Sequence, residues 1–183
     1  DRLGTWEAGR HAFEDADVWR FAGSNPLGSV DSWHTPVQTP TKRLRGARER
    51  GMKIIVIDPR ECEMAKFADI HLQIYPGEDA AVAAGLLHVI LANDWHDAEF
   101  CAEHVKDLDA LRTALAPFTP DVVAARAGIA PEDLIAAAQL FAKEARRGSV
   151  NTGTGVNMAS FPNLAEHLYE CLGIVCGRAA RCA

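Results

Sequence analysis

The run Met52-Lys53-Ile54-Ile55-Val56-Ile57, closed by Asp58-Pro59-Arg60, constrains this chain more than any other stretch. It is β-branched and apolar almost throughout, which suits extended backbone better than helix. A strand with one wet face alternates polar and apolar residues, and this one barely does. Near-continuous apolar strands belong to parallel sheets covered on both faces. Parallel neighbours need long crossover connections, so helices are expected around this strand and an α/β architecture follows.

The rest of the chain agrees with that reading. Asp17-Val18-Trp19-Arg20-Phe21-Ala22 reads as a first buried strand that enters a loop at Gly23-Ser24-Asn25-Pro26. Residues 27–40 form a long Gly/Ser/Pro-containing loop, a length that is usually functional inside a domain. Thr39 can cap, and Pro40 open, a basic helix that ends before Gly51. Its run of Lys42, Arg43, Arg45, Arg48 and Arg50 reads as a solvated face. Ile70 to Tyr75 alternates as a third strand, and Pro76-Gly77-Glu78-Asp79 launches a helix through about Ala92 with Val82, Leu86, Val89 and Ile90 on one stripe. Helices are then expected from Asp97, from Asp107, from Thr119-Pro120-Asp121 to Gly128, and from Pro131 to a stop at Gly148. Val150 to Gly155 reads as a fourth strand, and Pro162 opens a final apolar helix to about Cys176. The expected fold is a Rossmann-like parallel sheet flanked by helices, with a helical insertion between the third and fourth strands.

In open parallel sheets, ligands bind outside the carboxyl ends of the strands. Four distinctive loops fall there: Gly23-Ser24-Asn25-Pro26, Asp58-Pro59-Arg60, Pro76-Gly77-Glu78-Asp79 and Thr152-Gly153-Thr154-Gly155. Glycines let backbone N–H groups approach phosphate oxygens, and Ser24 and Asn25 add side-chain donors. Asp58 is placed to accept from ribose hydroxyl or amino donors. The two oxygens of Asp79 suit paired N–H donors such as a guanine edge, and Arg60 suits a phosphate. Each feature alone has a plainer reading: Ser-Asn-Pro as a turn, Asp79 as a helix cap, Asp58-Pro59 as a strand end. Their joint arrangement points to a nucleotide site.

Other chemistries are thinly represented. A net charge of −6 argues against nucleic acid as a partner, and no apolar run is long enough to span a membrane. Neither Gly-x-Gly-x-x-Gly after the first strand nor a phosphate-binding Gly-Lys-Ser/Thr loop is present. Cys62, Cys101, Cys171, Cys176 and Cys182 form no Cys-x-x-Cys pair and read as reduced thiols, which fits a cytosol-like compartment. The histidines are scattered. His88 and His167 sit within helices, and His34, in the long polar loop, is the one placed to contact a substrate or cofactor.

The motifs carry a family resemblance. Asp15-Ala16-Asp17-Val18 leading to Gly23-Ser24-Asn25-Pro26, Lys53 through Arg60, Ala68 through Ala81, and Gly153-Thr154-Gly155-Val156-Asn157-Met158 before Asn163-Leu164 come in a consistent order over nearly the whole chain. Together they resemble the central domain of molybdopterin oxidoreductases of the dimethyl sulfoxide reductase and formate dehydrogenase type. The resemblance implies one molybdopterin guanine dinucleotide, with molybdenum or tungsten, at these strand ends. It places Gly23, Ser24 and Asn25 at the diphosphate, and Asp58, Pro59 and Arg60 around ribose and guanine. It also places Gly77 and Asp79 in the guanine pocket, and Thr154 and Met158 near the pterin.

No catalytic residue or metal ligand of that family is expected within residues 1–183, which read as a single cofactor-binding domain cut from a longer chain and inactive alone. An iron–sulfur module, a metal ligand and a second dinucleotide-gripping domain would lie elsewhere in the parent. The expected partners are the parent's remaining domains and an electron-transfer subunit. The alternatives are a relative of the same fold that has lost its cofactor, as in a respiratory-complex subunit, or a nicotinamide or flavin domain, which the missing glycine motif disfavours.

Overall fold

The computed structural model describes residues 16–29 and 40–177. The stretch that includes His34 and Thr39, and the C-terminal Cys182, lie outside the described residues. Strands β1 (Val18–Ala22), β2 (Lys53–Ile57), β3 (Ile70–Leu72) and β4 (Gly148–Thr152) form one parallel sheet in the order β3-β2-β1-β4. Side chains alternate across it as strand geometry requires. Trp19, Phe21, Ile54 and Val56 enter a core with Leu44 and Ala47 of helix α1 (Pro40–Glu49). Val18, Ala22, Ile55 and Ile57 enter the larger core on the other face. Both faces are therefore covered, which is why β2 is apolar almost throughout.

The larger core is organised by α2 (Asp79–Ala92). Among the described residues it packs against α4 (Leu108–Leu115), α5 (Pro120–Ala127), α6 (Pro131–Gln139) and α8 (Pro162–Val175). The sequence suggests a single apolar stripe on this helix, but it is buried on nearly every side. Its Ala- and Gly-rich sequence allows that close approach: a Cβ at Gly85 would stand 2.9 Å from Val123 and 3.0 Å from Leu134. The smaller α3 (Ala98–His104) is capped by Asp97, which accepts the Phe100 N–H at 3.0 Å. The helical insertion lies between β3 and β4, as expected.

Three boundaries differ from the sequence reading. β3 ends at Leu72 rather than Tyr75, because the Tyr75 N–H donates instead to the Ala127 carbonyl at 2.8 Å and its ring covers Gly128. The helix expected to run to Gly148 passes into a π turn at Leu140–Glu144 and stops there. Gly148 is then free to begin β4, where it pairs with Val18.

Candidate functional site

The strands end flush. Ala22 pairs with Ile57 and with Thr152, and Ile57 pairs with Leu72. The chain runs from β1 to β2 and β3 on one side, and β4 adds on the other, so the β1/β4 boundary is the point where the strand order reverses. Connections diverge there and leave a crevice, the usual ligand position in open α/β sheets. A cleft of about 880 Å³ occupies it, within the range of small-molecule sites. Gly23, Ser24, Asn25, Asp58, Pro59, Arg60, Gly77, Asp79, Thr154 and Met158 all line this one cleft. Four separate loops contribute them.

Its floor is a crossing of two backbones. Gly23 holds φ of +54°, and a Cβ there would lie 2.6 Å from the Val156 nitrogen. Cβ atoms at Gly153 and Gly155 would come within 2.6 Å and 2.7 Å of Gly23 backbone atoms. Gly153 N–H donates to the Ala22 carbonyl at 2.9 Å, and Gly155 N–H to Gly23 at 3.0 Å. Only residues without side chains permit this crossing. A short helix, α7 (Thr154–Asn157), follows and projects Met158 into solvent at 81% exposure.

The β1 and β2 loops are tied together by Asn25. Its carbonyl accepts the Met64 N–H at 3.3 Å and its amide donates to Glu63. Sequence reasoning casts Asn25 as a donor to a ligand, whereas here the carboxamide joins loop to loop. The Asp58 loop is also fixed from behind. Arg60 N–H donates to Asp58 Oδ1 at 2.8 Å, His71 Nε2 meets the Asp58 carbonyl at 3.0 Å, and Gln73 donates to the Pro59 carbonyl at 3.1 Å. The Arg60 side chain extends outward, its nitrogen 4.0 Å from Asp58.

Asp58 and Asp79 are both 6% exposed, so the site holds two nearly buried carboxylates. Asp79 opens α2 just after Gly77, whose φ of +93° makes the turn. Burial raises the Asp79 pKa, its own backbone N–H opposes that, and nearby Asp58 raises it further. Tyr169 and Arg20 favour the ionised form.

Four lining residues were not singled out from sequence: Ser29, Asn151, Ala159 and Ser160. Asn151 is 4% exposed, and its Oδ1 has no hydrogen-bond partner among the described residues. A buried acceptor left open in a cleft wall awaits a donor. Its signal in the sequence is faint, an amide inside a short strand. Among the described residues, no group of three or more His, Cys, Asp or Glu side chains is arranged to hold a metal. No helix there is long and apolar enough to cross a membrane.

Comparison with known proteins agrees with this architecture. The chain is 38% identical over 128 residues to a formate dehydrogenase alpha subunit of Methanococcus maripaludis, covering 70% of this chain and 18% of that one. It is 31% identical over 110 residues to formate dehydrogenase H of Escherichia coli, covering 60% and 15%. The solved structure of acetylene hydratase from Pelobacter acetylenicus superposes with a TM-score of 0.82 at 26% identity, over 95% of this chain and 23% of that one. The chain thus spans less than a quarter of these relatives. The family model described as molybdopterin oxidoreductase matches residues 3–174, and the chain belongs to that family.

Proposed function

We propose that this domain holds one guanine dinucleotide arm of a molybdenum or tungsten pterin cofactor for a larger oxidoreductase. The observation that carries the reading is the convergence of four strand-end loops on a single cleft with a side-chain-free floor and two buried carboxylates. The floor fits a diphosphate, because the glycine crossing sets the loop backbone at Ser24 and Asn25 beside the cleft, where N–H groups can approach its oxygens, while the Gly23 N–H is given to the Ile57 carbonyl. The carboxylates fit the opposite end. Asp58, with Pro59 and Arg60, frames ribose and guanine, while Asp79 beside Gly77 accepts from adjacent N–H groups of the base. Thr154 and Met158, beyond the crossing, face the pterin. Asn151 supplies a further acceptor from the wall.

Bound there, the metal–pterin group would supply two-electron chemistry, and this domain's residues would position it and exclude water. Relatives similar to this chain include formate dehydrogenases, an acetylene hydratase and the assimilatory nitrate reductase catalytic subunit of Bacillus subtilis. One domain shared by such different reactions does not choose the substrate. The remaining domains of the parent would do that, and an electron-transfer subunit would be its partner.

The test is cofactor content of the full-length protein purified without oxygen. Molybdenum or tungsten should be present together with guanine nucleotide released by acid hydrolysis. Asp79→Ala should lower the retained nucleotide about tenfold, an effect expected of losing a charged hydrogen bond. Cys101→Ala, away from the cleft, should leave it unchanged. Equal content in both variants contradicts the site, and none in the native protein favours a relative that kept the fold and lost the cofactor.

A further inference from the structure

The cleft has two walls, set on opposite faces of the sheet. Asp79, at the head of α2, belongs to the face of the larger core. Ser160 stands close by, its Oγ 3.1 Å from where a Cβ on Gly77 would lie. The other wall rises on the α1 face. Asn151 pairs with Phe21 across the β1–β4 ladder, so its side chain leaves the sheet on the side of Phe21 and Trp19. The loop after β1 lies over that same face. Leu27 packs on the α1-side core, and Asn25 accepts from Met64, which belongs to it. Pro26 and Ser29 of this loop line the cleft together with Asn151.

Folding alone gives no reason for an amide at position 151. β4 is an edge strand, yet Asn151 is 4% exposed and its Oδ1 has no hydrogen-bond partner among the described residues. A carboxamide oxygen offers two acceptor positions, and leaving both unmade in a buried place costs the desolvation of the group with nothing returned. Asn25, the other carboxamide in the lining, is committed at both ends, to Glu63 and to Met64. An apolar residue of the same size at position 151 would fill the wall without that cost. A local rule broken in a cleft wall marks a place kept for a ligand. The chemistry of that ligand group is narrow. Pro26, Ser29 and Asn151 give this wall no formal charge, and an open oxygen acceptor repels a phosphate oxygen but pairs with an O–H or N–H. Two residues further along the chain, Gly153 joins the backbone crossing, so the donor lies next to whatever the crossing holds.

We infer that Asn151 is a binding residue whose Oδ1 accepts a hydrogen bond from a neutral O–H or N–H of the ligand beside its diphosphate. The ligand is thereby gripped from both faces of the sheet, by Asp79 on one and Asn151 on the other. This rests on the dinucleotide reading above and gives it a second anchor. Two parts of such a ligand carry a neutral donor, the ribose hydroxyls and the pterin ring N–H groups. GDP has the first and lacks the second, so it tells the two sources apart.

The experiment uses the full-length protein, loaded with cofactor and again after its removal. Asn151→Leu keeps the volume and deletes the acceptor. Guanine nucleotide retained after dialysis should fall about tenfold, the scale of losing one hydrogen bond between buried partners. The melting temperature of the cofactor-free variant should equal or exceed the native value, because an unpartnered acceptor has given way to apolar surface. A fall in retention together with a fall in the cofactor-free melting temperature would show a merely structural amide and overturn the inference. If Asn151→Leu does not fold, Asn151→Ala decides in its place, and native retention there overturns the inference. GDP titrated into the cofactor-free protein assigns the donor. Binding weakened about tenfold by Asn151→Leu puts it on the ribose; unchanged GDP binding with lowered cofactor retention puts it on the pterin. Native protein devoid of guanine nucleotide would overturn the parent reading and this inference with it. Native nucleotide that Asn151→Leu retains in full overturns this inference alone.

Discussion

Gly23 shows how tightly single residues govern the site. Its φ of +54° is unfavourable for any side chain, and the Val156 nitrogen already occupies the space a Cβ would need. Gly23→Ala should cost about 2 kcal/mol, the scale of forcing an L side chain into strained backbone. Urea denaturation of the full-length protein checks this, and an unchanged midpoint would mean the loops separate without penalty. Asn25 makes a subtler case. Its carboxamide donates to Glu63 and accepts from Met64, which only an amide does with both ends. Asn25→Asp would set a second carboxylate against Glu63, so a lower melting temperature is expected at neutral pH. That loss should shrink once the pH falls far enough to protonate the pair, a trend a thermal melt series would reveal.

At the scale of elements, α2 and the start of β3 carry the strongest expectations. Gly85 lets α2 lie against Val123 of α5 and Leu134 of α6, so Gly85→Leu should overpack that contact and cost about 1–3 kcal/mol. Asp69 fastens β3 to its neighbours: it accepts the Ile54 N–H at 2.9 Å and pairs with Lys53 at 3.1 Å and Arg48 at 3.2 Å. Burial alone would raise its pKa, but the Ile54 bond, Lys53 and Arg48 together hold it below the usual carboxylate value. A depressed folded pKa stabilises above the unfolded pKa and is lost as pH falls through the folded one. Asp69→Asn should therefore cost about 1–2 kcal/mol at pH 7 and progressively less in acid. Chemical denaturation at pH 7 and pH 3 would show the gap narrowing.

The same elements show what local sequence conveys. β2 was legible because burial on both faces leaves a continuous apolar run. The four loops were legible together, because glycines, acids and prolines recur at four strand ends, although each loop alone has a plainer reading as turn, cap or strand end. The full enclosure of α2 was not legible, since alanines on its back face look like ordinary helix formers until α4, α5 and α6 close over them. Gly148 resembled a helix stop because its strand pairing is imposed by Val18, far away in sequence. Arg20 passed as an exception in an apolar run, because the Tyr169 ring that receives it lies on the last helix. Asn151 was missed for a similar reason: its open acceptor matters only once the sheet edge becomes a cleft wall.

At the scale of the whole molecule, the labour is divided among sheet, loops and crevice. The sheet aligns four strand ends, the order reversal opens the crevice, and the loops supply a floor without side chains and two buried acids. Relatives named as a formate dehydrogenase, an acetylene hydratase and a nitrate reductase resemble this chain in sequence. The most direct test is a structure of the full-length protein with its cofactor bound. A diphosphate is expected over the crossing of Gly23 with Gly153 and Gly155, and a guanine edge in hydrogen-bond contact with Asp79. A bound dinucleotide that leaves this cleft empty would contradict it.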